Sequence, residues 1–84
     1  MEVLFTARFL RSFKKLPIDI QDDCYRAIDI FKKQANLEKI KFHKLHGKMS
    51  GLYSFSVNFS FRVIVKKEKK TLYFMDIGSH TLYK

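Results

Sequence analysis

The chain is poor in the residues that build covalent or metal-held scaffolds. Its 84 residues contain one cysteine, one proline, three glycines and no tryptophan. The single cysteine, Cys24, excludes an internal disulfide and a cysteine-based metal cluster, since both need at least two thiols. Cys24 lies in a helical apolar pattern, so we expect it in the hydrophobic core.

Acidic residues are also scarce. Eight Asp and Glu residues face seventeen Lys and Arg, which gives a formal net charge of +9. An excess of this size is typical of proteins with a polyanionic partner, which includes nucleic acid, an acidic protein or an anionic membrane. The simpler interpretation, a charged surface that only keeps the protein in solution, stays open at this point.

Long hydrophobic runs are absent. No apolar stretch approaches the ~20 residues that a membrane-spanning helix needs, and charges interrupt the first sixteen residues where a secretory signal would lie. We therefore expect a cytoplasmic protein with no membrane partner. A chain of 84 residues has room for one domain, so we predict a single domain over 1–84.

The first half of the sequence predicts a strand followed by two helices. The run at 3–5 is apolar and β-prone, and Thr6 suits the N-cap of a following helix. That helix ends before Pro17, and a second begins near Ile18 or Asp19. The two helices carry an apolar stripe each, formed by Phe9, Phe13 and Leu16 in the first and by Ile20, Cys24, Ala27, Ile28 and Phe31 in the second.

The second half predicts strands. Apolar and alternating runs at 52–57, 61–66 and 71–77 are separated by turn signals, and a short last segment covers 80–83. Hairpin-length loops between them indicate antiparallel pairing. The predicted fold class is α+β, with an N-terminal strand, an α-helical hairpin and then a three- to four-stranded antiparallel sheet. With the helices on one face, the other face is partly open and is the natural place for a site.

Several short motifs follow one another in the second half of the chain. They are Leu45-His46-Gly47, Gly51-Leu52-Tyr53, Phe61-Arg62, and Gly78-Ser79-His80 with Tyr83. No single motif is specific, but their order, together with the helical hairpin before them, resembles the RelE/ParE superfamily of bacterial toxins from toxin–antitoxin pairs over almost the whole chain. The resemblance implies the RelE-like fold described above.

The resemblance also implies a function. Members of the RelE branch cut messenger RNA, usually on the ribosome, whereas ParE-like members inhibit DNA gyrase, and both are silenced by an antitoxin that wraps the toxin. The favoured expectation is a YafQ-like, ribosome-dependent mRNA endoribonuclease that inhibits translation, uses neither metal nor cofactor, and has a cognate acidic antitoxin as partner. A gyrase inhibitor and a catalytically silent RNA-binding relative remain as alternatives.

Three residues are candidates for catalysis. RNA cleavage without a metal needs proton donors and acceptors near the 2′-hydroxyl and the leaving oxygen, and cations near the phosphate. His80 suits proton transfer because its ordinary pKa lies near neutrality. Arg62 suits phosphate binding, or alternatively a structural pair with Asp76. Tyr83 suits base stacking or a phosphate contact, or else packing at the sheet edge.

The remaining candidates are RNA-binding residues. A basic segment supplies Lys44, His46 and Lys48, and Lys66 lies in a later strand. RNA-cutting relatives often carry cations on the exposed face of the second strand, where this chain has Ser54 and Ser56. These serines still donate hydrogen bonds, but the departure favours the alternatives to RNA cleavage. We predict no metal site, since His43 and His46 have no apparent third ligand.

Overall fold

The computed structural model describes residues 2–34 and 36–79 and contains two helices and five strands. In chain order these are β1 (Glu2–Phe5), α1 (Ala7–Lys14), α2 (Ile18–Lys33), β2 (His43–Lys44), a 3₁₀ turn (Gly47–Met49), β3 (Leu52–Ser56), β4 (Phe61–Glu68) and β5 (Thr71–Ser79). Neither helix is long and apolar enough to cross a membrane. The predicted α+β class and the RelE-like order of elements are confirmed.

The sheet has more strands than predicted, and it is mixed. Its strand order is β1-β5-β4-β3-β2, and all pairs are antiparallel except β1 with β5. The opening strand lies parallel to β5, with Glu2 opposite Thr71 and Phe5 opposite Phe74. A parallel pair needs a long crossover, and here the intervening helices and strands supply it. The fifth strand, β2, is two residues long and pairs with β3.

Thr6 begins α1 as the sequence predicts. Its Oγ1 accepts a hydrogen bond from the backbone N–H of Phe9 (3.2 Å) and donates one to the carbonyl of Phe74 (2.7 Å). The first contact satisfies a free N–H group of the helix, and the second attaches the helix start to β5. Pro17 stands directly before α2, so one threonine and one proline define the helical hairpin.

The core lies between the helical hairpin and one face of the sheet. Cys24 is fully buried as expected, and Phe31 of α2 is 1% exposed. The Phe31 ring stacks on Phe55 of β3 with 5.0 Å between centroids and meets Phe74 of β5 edge-on at 5.6 Å. Such aromatic pairs add to the burial of apolar area, and they hold α2 across the middle strands.

Asp76 attaches β5 to α1. Its carboxylate accepts hydrogen bonds from Arg8 Nε (2.9 Å) and Ser12 Oγ (2.6 Å), and also from the backbone N–H of Ile77 (2.8 Å). The Asp76 residue is only 8% exposed. A buried carboxylate is tolerated when its oxygens are hydrogen-bonded in this way, so Asp76 is a structural residue of the hairpin–sheet junction.

Candidate nucleic-acid interface

Arg62 lies in β4, opposite Ser56 of β3 and Gly78 of β5. Its Nη1 donates a hydrogen bond of 2.7 Å to the Ser56 hydroxyl, and the residue is half-buried. Cross-strand neighbours share a face of the sheet, so Ser56 and Arg62 project together. Ser56 is thus the residue that orients the guanidinium.

The structural alternative for Arg62, a pair with Asp76, is wrong. The Asp76 carboxylate is occupied by Arg8 and Ser12 of α1 instead. Within residues 2–34 and 36–79, no carboxylate forms an ion pair with Arg62. Its positive charge therefore remains available to a ligand, and the Ser56 hydroxyl takes up one of its five N–H donors.

Ser54 does not lie at the surface. The sequence placed Ser54 and Ser56 together on the exposed face of the second strand, but Ser54 is 0% exposed and its cross-strand neighbour Ile64 is 4% exposed. The centre of this second face is thus closed to solvent, whereas Ser56 and Arg62 at one end are half-buried and Lys66 at the other end is exposed. Alternation along a strand predicts which side chains share a face, but not what covers that face.

The predicted basic segment lies at the edge of the sheet. Lys44 forms half of β2, opposite Tyr53, whereas His46 and Lys48 are exposed beside the 3₁₀ turn. The buried Leu45 anchors the segment, and its N–H donates to the carbonyl of Leu52 (2.8 Å). These three side chains are thus held next to β3 and remain accessible to a polyanion.

Two other predicted residues have measurable partners. Lys66 shares the face of Arg62 on β4, four residues further along, and its Nζ lies 3.0 Å from a carboxylate oxygen of Glu68. Both side chains are about half exposed (46% and 52%), so the pair contributes little to stability. His43 contacts the carbonyl of Lys41 through Nδ1 at 2.7 Å, which favours a proton on that nitrogen.

His80 and Tyr83 lie outside the described residues, so their catalytic roles stay predictions. The described part of the sheet ends beside Arg62, with Gly78 opposite Arg62 and Ser79 opposite Phe61. His80 follows Ser79 directly in the sequence.

A cavity of about 440 Å³ adjoins Arg62. It lies between α2, the segment at 39–41 and the turn that joins β3 to β4, and we call it the Arg62 cavity. Its lining residues are Asp23, Arg26, Ala27, Ile30, Lys39, Ile40, Lys41, Ser56, Val57, Asn58, Phe59 and Arg62. Four of these carry positive charge and one carries negative charge, so the cavity attracts anions.

Asn58 shapes the turn beside this cavity. Its Oδ1 accepts hydrogen bonds from the backbone N–H groups of Ser60 and Phe61, both at 2.9 Å, and its Nδ2 donates to Asp23 of α2 at 3.0 Å. The hydrogen bond from Asn58, aided by Arg26, lowers the pKa of the Asp23 carboxyl against the opposing effect of burial. The turn is therefore attached to α2 through a charged carboxylate.

The second wall of the cavity is anchored as well. The buried Ile40 accepts a backbone hydrogen bond from Ser56 N–H at 2.6 Å, and the N–H of Phe42 donates to the carbonyl of Leu37 at 3.1 Å. The Phe42 ring stacks on Tyr53 with 5.3 Å between centroids and 3° between planes. These contacts fix the backbone that carries Lys39 and Lys41.

Sequence reasoning missed most of this cavity. Arg26, Lys39, Lys41 and Phe59 are not among the site residues that the sequence predicts. The segment at 36–44 is predicted only as irregular and basic, and 58–60 only as a turn, yet Phe59 is 96% exposed. An apolar aromatic residue between Asn and Ser in a turn was the signal that could have pointed to this site.

Searches by sequence and by structure gave different results. No family model and no curated protein sequence matches the chain. Solved structures do match. YafQ from Escherichia coli is 17% identical, with 99% of this chain and 98% of that chain covered at a TM-score of 0.80. A copper-bound mutant toxin from Helicobacter pylori is 17% identical, with 100% and 99% covered at 0.81.

A toxin–antitoxin complex is among the matches. The E. coli DinJ-YafQ complex aligns at 18% identity over 99% of this chain and 97% of that chain, with a TM-score of 0.78. At this level of identity the likeness concerns the fold. The predicted resemblance is confirmed in that sense: this chain has the RelE-like fold that YafQ and related toxins share.

Proposed function

We propose that this protein is the toxin of a toxin–antitoxin pair and cleaves messenger RNA on the ribosome without a metal ion. The observation that carries the proposal is the placement of Arg62. Its guanidinium is oriented by Ser56 at 2.7 Å, borders a cationic cavity and has no carboxylate partner among the described residues. An arginine in such a position binds a phosphate through two parallel hydrogen bonds.

The proposed reaction is a transesterification. The ribose 2′-oxygen attacks the adjacent phosphorus, the bond to the 5′-oxygen breaks, and the products are a 2′,3′-cyclic phosphate and a 5′-hydroxyl end. Arg62 donates to the non-bridging oxygens, where negative charge grows in the transition state. His80 transfers a proton at the 2′-oxygen or at the leaving 5′-oxygen, and Tyr83 positions the nucleotide.

Charge supports a polyanionic substrate. The chain has a formal net charge of +9, and cations lie along the edge near β2 as well as around the Arg62 cavity. In this proposal Lys44, His46, Lys48 and Lys66 contact phosphates away from the scissile bond. Binding should then weaken steeply with salt, since each phosphate contact releases counterions.

The proposed partner is an acidic antitoxin. Apolar side chains remain exposed on the helical hairpin, with Ile18 71% and Tyr25 61% exposed, and the chain as a whole is strongly basic. A wrapping segment with apolar and acidic residues would cover both features. The DinJ-YafQ structure, which has this fold, is a toxin–antitoxin complex, and this supports an antitoxin as the partner.

A gyrase inhibitor is the second candidate, and a specific observation favours it. The two β3 positions where RNA-cutting relatives often carry cations are serines here. Serine carries no charge. In addition, Ser54 is buried and the Ser56 hydroxyl accepts a hydrogen bond from Arg62, so neither position supplies a cation for RNA. In this alternative the protein binds its target without cutting RNA.

The test is inducible expression in a bacterium with mapping of transcript 5′ ends. Wild type is compared with His80→Ala and Arg62→Ala, and with Arg11→Ala as a control for the loss of one cation from an exposed site on α1. We expect growth arrest with new cuts inside translated messages for wild type and Arg11→Ala. Both site variants should lose the cuts while they remain folded by circular dichroism.

Two outcomes would contradict the proposal. Growth arrest without new RNA ends would favour gyrase, which a supercoiling assay with purified protein then tests directly. Absence of arrest in the wild type would indicate a silent relative that binds RNA without cleaving it.

A further inference from the structure

Phe59 has no packing role in the described structure. It is 96% exposed at the tip of the β3–β4 turn, although eight other phenylalanines are available to the core of this small protein. Single exposed apolar residues are common on protein surfaces, so exposure alone assigns no role. The surroundings of Phe59 do indicate a role, because Phe59 lines the Arg62 cavity together with four cations.

The tip is held in place by its base. Asn58 closes the turn through the N–H groups of Ser60 and Phe61 and attaches it to Asp23 of α2. The N–H of Val57 donates to the carbonyl of Phe61 at 2.9 Å and completes the hairpin. The Phe59 ring is therefore presented to solvent from an anchored turn, which lowers the entropic cost of ordering it on a ligand.

The cavity has the size and charge of a nucleotide site. Its volume of about 440 Å³ lies within the range of small-ligand pockets. Three elements contribute cations to the lining that Phe59 shares, with Arg26 on α2, Lys39 and Lys41 on the segment at 39–41, and Arg62 on β4. Proteins that bind single-stranded nucleic acid combine such cations for the backbone with an aromatic ring for a base.

One of the four cations is partly neutralised. Arg26 donates to the carboxylate of Asp23, and the Arg26 side chain is 70% exposed. Arg62 donates to the neutral hydroxyl of Ser56 and forms no ion pair with a carboxylate of residues 2–34 and 36–79, so its charge is not neutralised there. Lys39 and Lys41 are exposed. The phosphates are therefore expected along the wall from Lys39 and Lys41 to Arg62, and the base is expected at the tip.

We propose that the Arg62 cavity is a subsite for one nucleotide of single-stranded RNA, with the base stacked on Phe59 and its phosphate between Lys39, Lys41 and Arg62. This inference rests on the proposed function, since it places a nucleotide that flanks the scissile phosphate. It adds Phe59 as a residue that determines whether single-stranded or duplex RNA binds. A duplex, whose bases are already stacked, has no free face for Phe59, and so the subsite selects single strands.

The absence of tryptophan from the chain makes a direct test possible. Phe59→Trp introduces one indole at the tip, whose fluorescence is quenched when a base stacks on it. The purified full-length variant is titrated with a 2′-O-methyl RNA oligonucleotide, which binds but cannot be cleaved. An abasic oligonucleotide of equal length and charge and a duplex of the same sequence are titrated in parallel.

We expect quenching by the single strand, and little by the abasic strand or the duplex. In a separate binding assay Phe59→Ala should weaken affinity for the single strand by roughly 5- to 150-fold, the range for loss of one stacked base. The salt dependence of RNA binding by Phe59→Ala should equal that of the wild type, because no charge is removed. Ile18→Ala removes another exposed apolar side chain, 71% exposed on α2 and outside the cavity, and should bind like wild type.

Substitution of the lysines should change the salt dependence of binding and not the dependence on the base. Lys39→Ala and Lys41→Ala should each lower the salt slope of binding by about one contact, with no preference between oligonucleotides that differ in base. A Phe59→Ala variant that binds as tightly as wild type would overturn the inference. Equal quenching of Phe59→Trp by the abasic strand or by the duplex would do the same.

These outcomes are separable from the proposed function. If Phe59→Ala cuts transcripts and binds RNA like wild type, the nuclease proposal stands and the subsite is refuted. If the wild type cuts no RNA but the base-dependent quenching is present, the subsite stands and the nuclease proposal fails.

Discussion

The Arg62 guanidinium donates a 2.7 Å hydrogen bond to the Ser56 hydroxyl across the β3–β4 pair. This contact gives Ser56 of β3 a role in orienting the neighbouring arginine. A bidentate phosphate contact depends on the plane of the guanidinium. The contact therefore bears on the geometry of the proposed site.

The first prediction concerns that contact. Ser56→Ala removes the acceptor but leaves the charge of Arg62, so the protein should fold and RNA cleavage should fall by about tenfold, as for loss of one hydrogen bond to a charged group. Cleavage of a defined transcript by purified protein measures this. Ser50→Ala, at an exposed serine outside the Arg62 cavity, is the control. Wild-type cleavage in Ser56→Ala would show that Arg62 needs no such orientation.

The second prediction concerns Asp76. Asp76→Ala leaves Ser12 and the N–H of Ile77 without their acceptor in a site that is 8% exposed, so it should lower the free energy of unfolding by about 2–4 kcal/mol. Urea unfolding measures the change. Asp29→Ala is the control, because its pair with Lys33 is exposed and should contribute less than about 0.5 kcal/mol. Equal effects of the two substitutions would refute a structural role for Asp76.

The third prediction concerns pH. Burial raises the pKa of Cys24 from 9.0 to about 12, so the folded protein holds the thiol proton where the unfolded chain releases it. The contribution of this group to stability is fully present below pH 9.0 and decreases as the pH rises towards 12. The urea midpoint should therefore decrease more between pH 8 and pH 10 in the wild type than in Cys24→Ala. Parallel decreases in the two proteins would contradict the raised pKa.

The same burial predicts low reactivity. Cys24 is 0% exposed and its thiolate form is disfavoured, so a thiol reagent should modify the folded protein very slowly and the urea-unfolded protein rapidly. The rate of thiol release from a chromogenic disulfide at pH 8 measures both states. Fast modification without denaturant would mean that α2 opens readily in the native state.

The fourth prediction concerns the turn that carries Phe59. The hydrogen bond from Asn58 is the leading cause that lowers the pKa of Asp23, so Asn58→Ala should raise that pKa towards 3.8. Because a lowered carboxyl pKa contributes stability above 3.8 that is lost as pH falls, the wild type should lose more stability on acidification than the variant. Carboxyl carbon NMR titration of Asp23 measures the shift, and Asp29 serves as the exposed reference.

The elements of the fold were predictable because each has a local cause. Thr6 and Pro17 define the hairpin, and the helical spacing of Cys24, Ala27 and Phe31 determines which face is buried. The placement of β1 parallel to β5 was not predictable in this way, since pairing of distant segments is not encoded within either of them. The same holds for β2, whose two residues form a strand only because β3 lies beside them.

The candidate site, like the fold, was predictable from the sequence only in part. The sequence indicated Arg62 because an arginine in an apolar strand is conspicuous, and it indicated a polyanionic partner through the net charge. It placed Ser54 at the surface, which is wrong, and it missed Phe59, Lys39 and Lys41 as neighbours of Arg62. Residue type and local periodicity are properties of the chain alone. Burial and proximity arise when segments far apart in sequence pack together, and only the tertiary structure decided them.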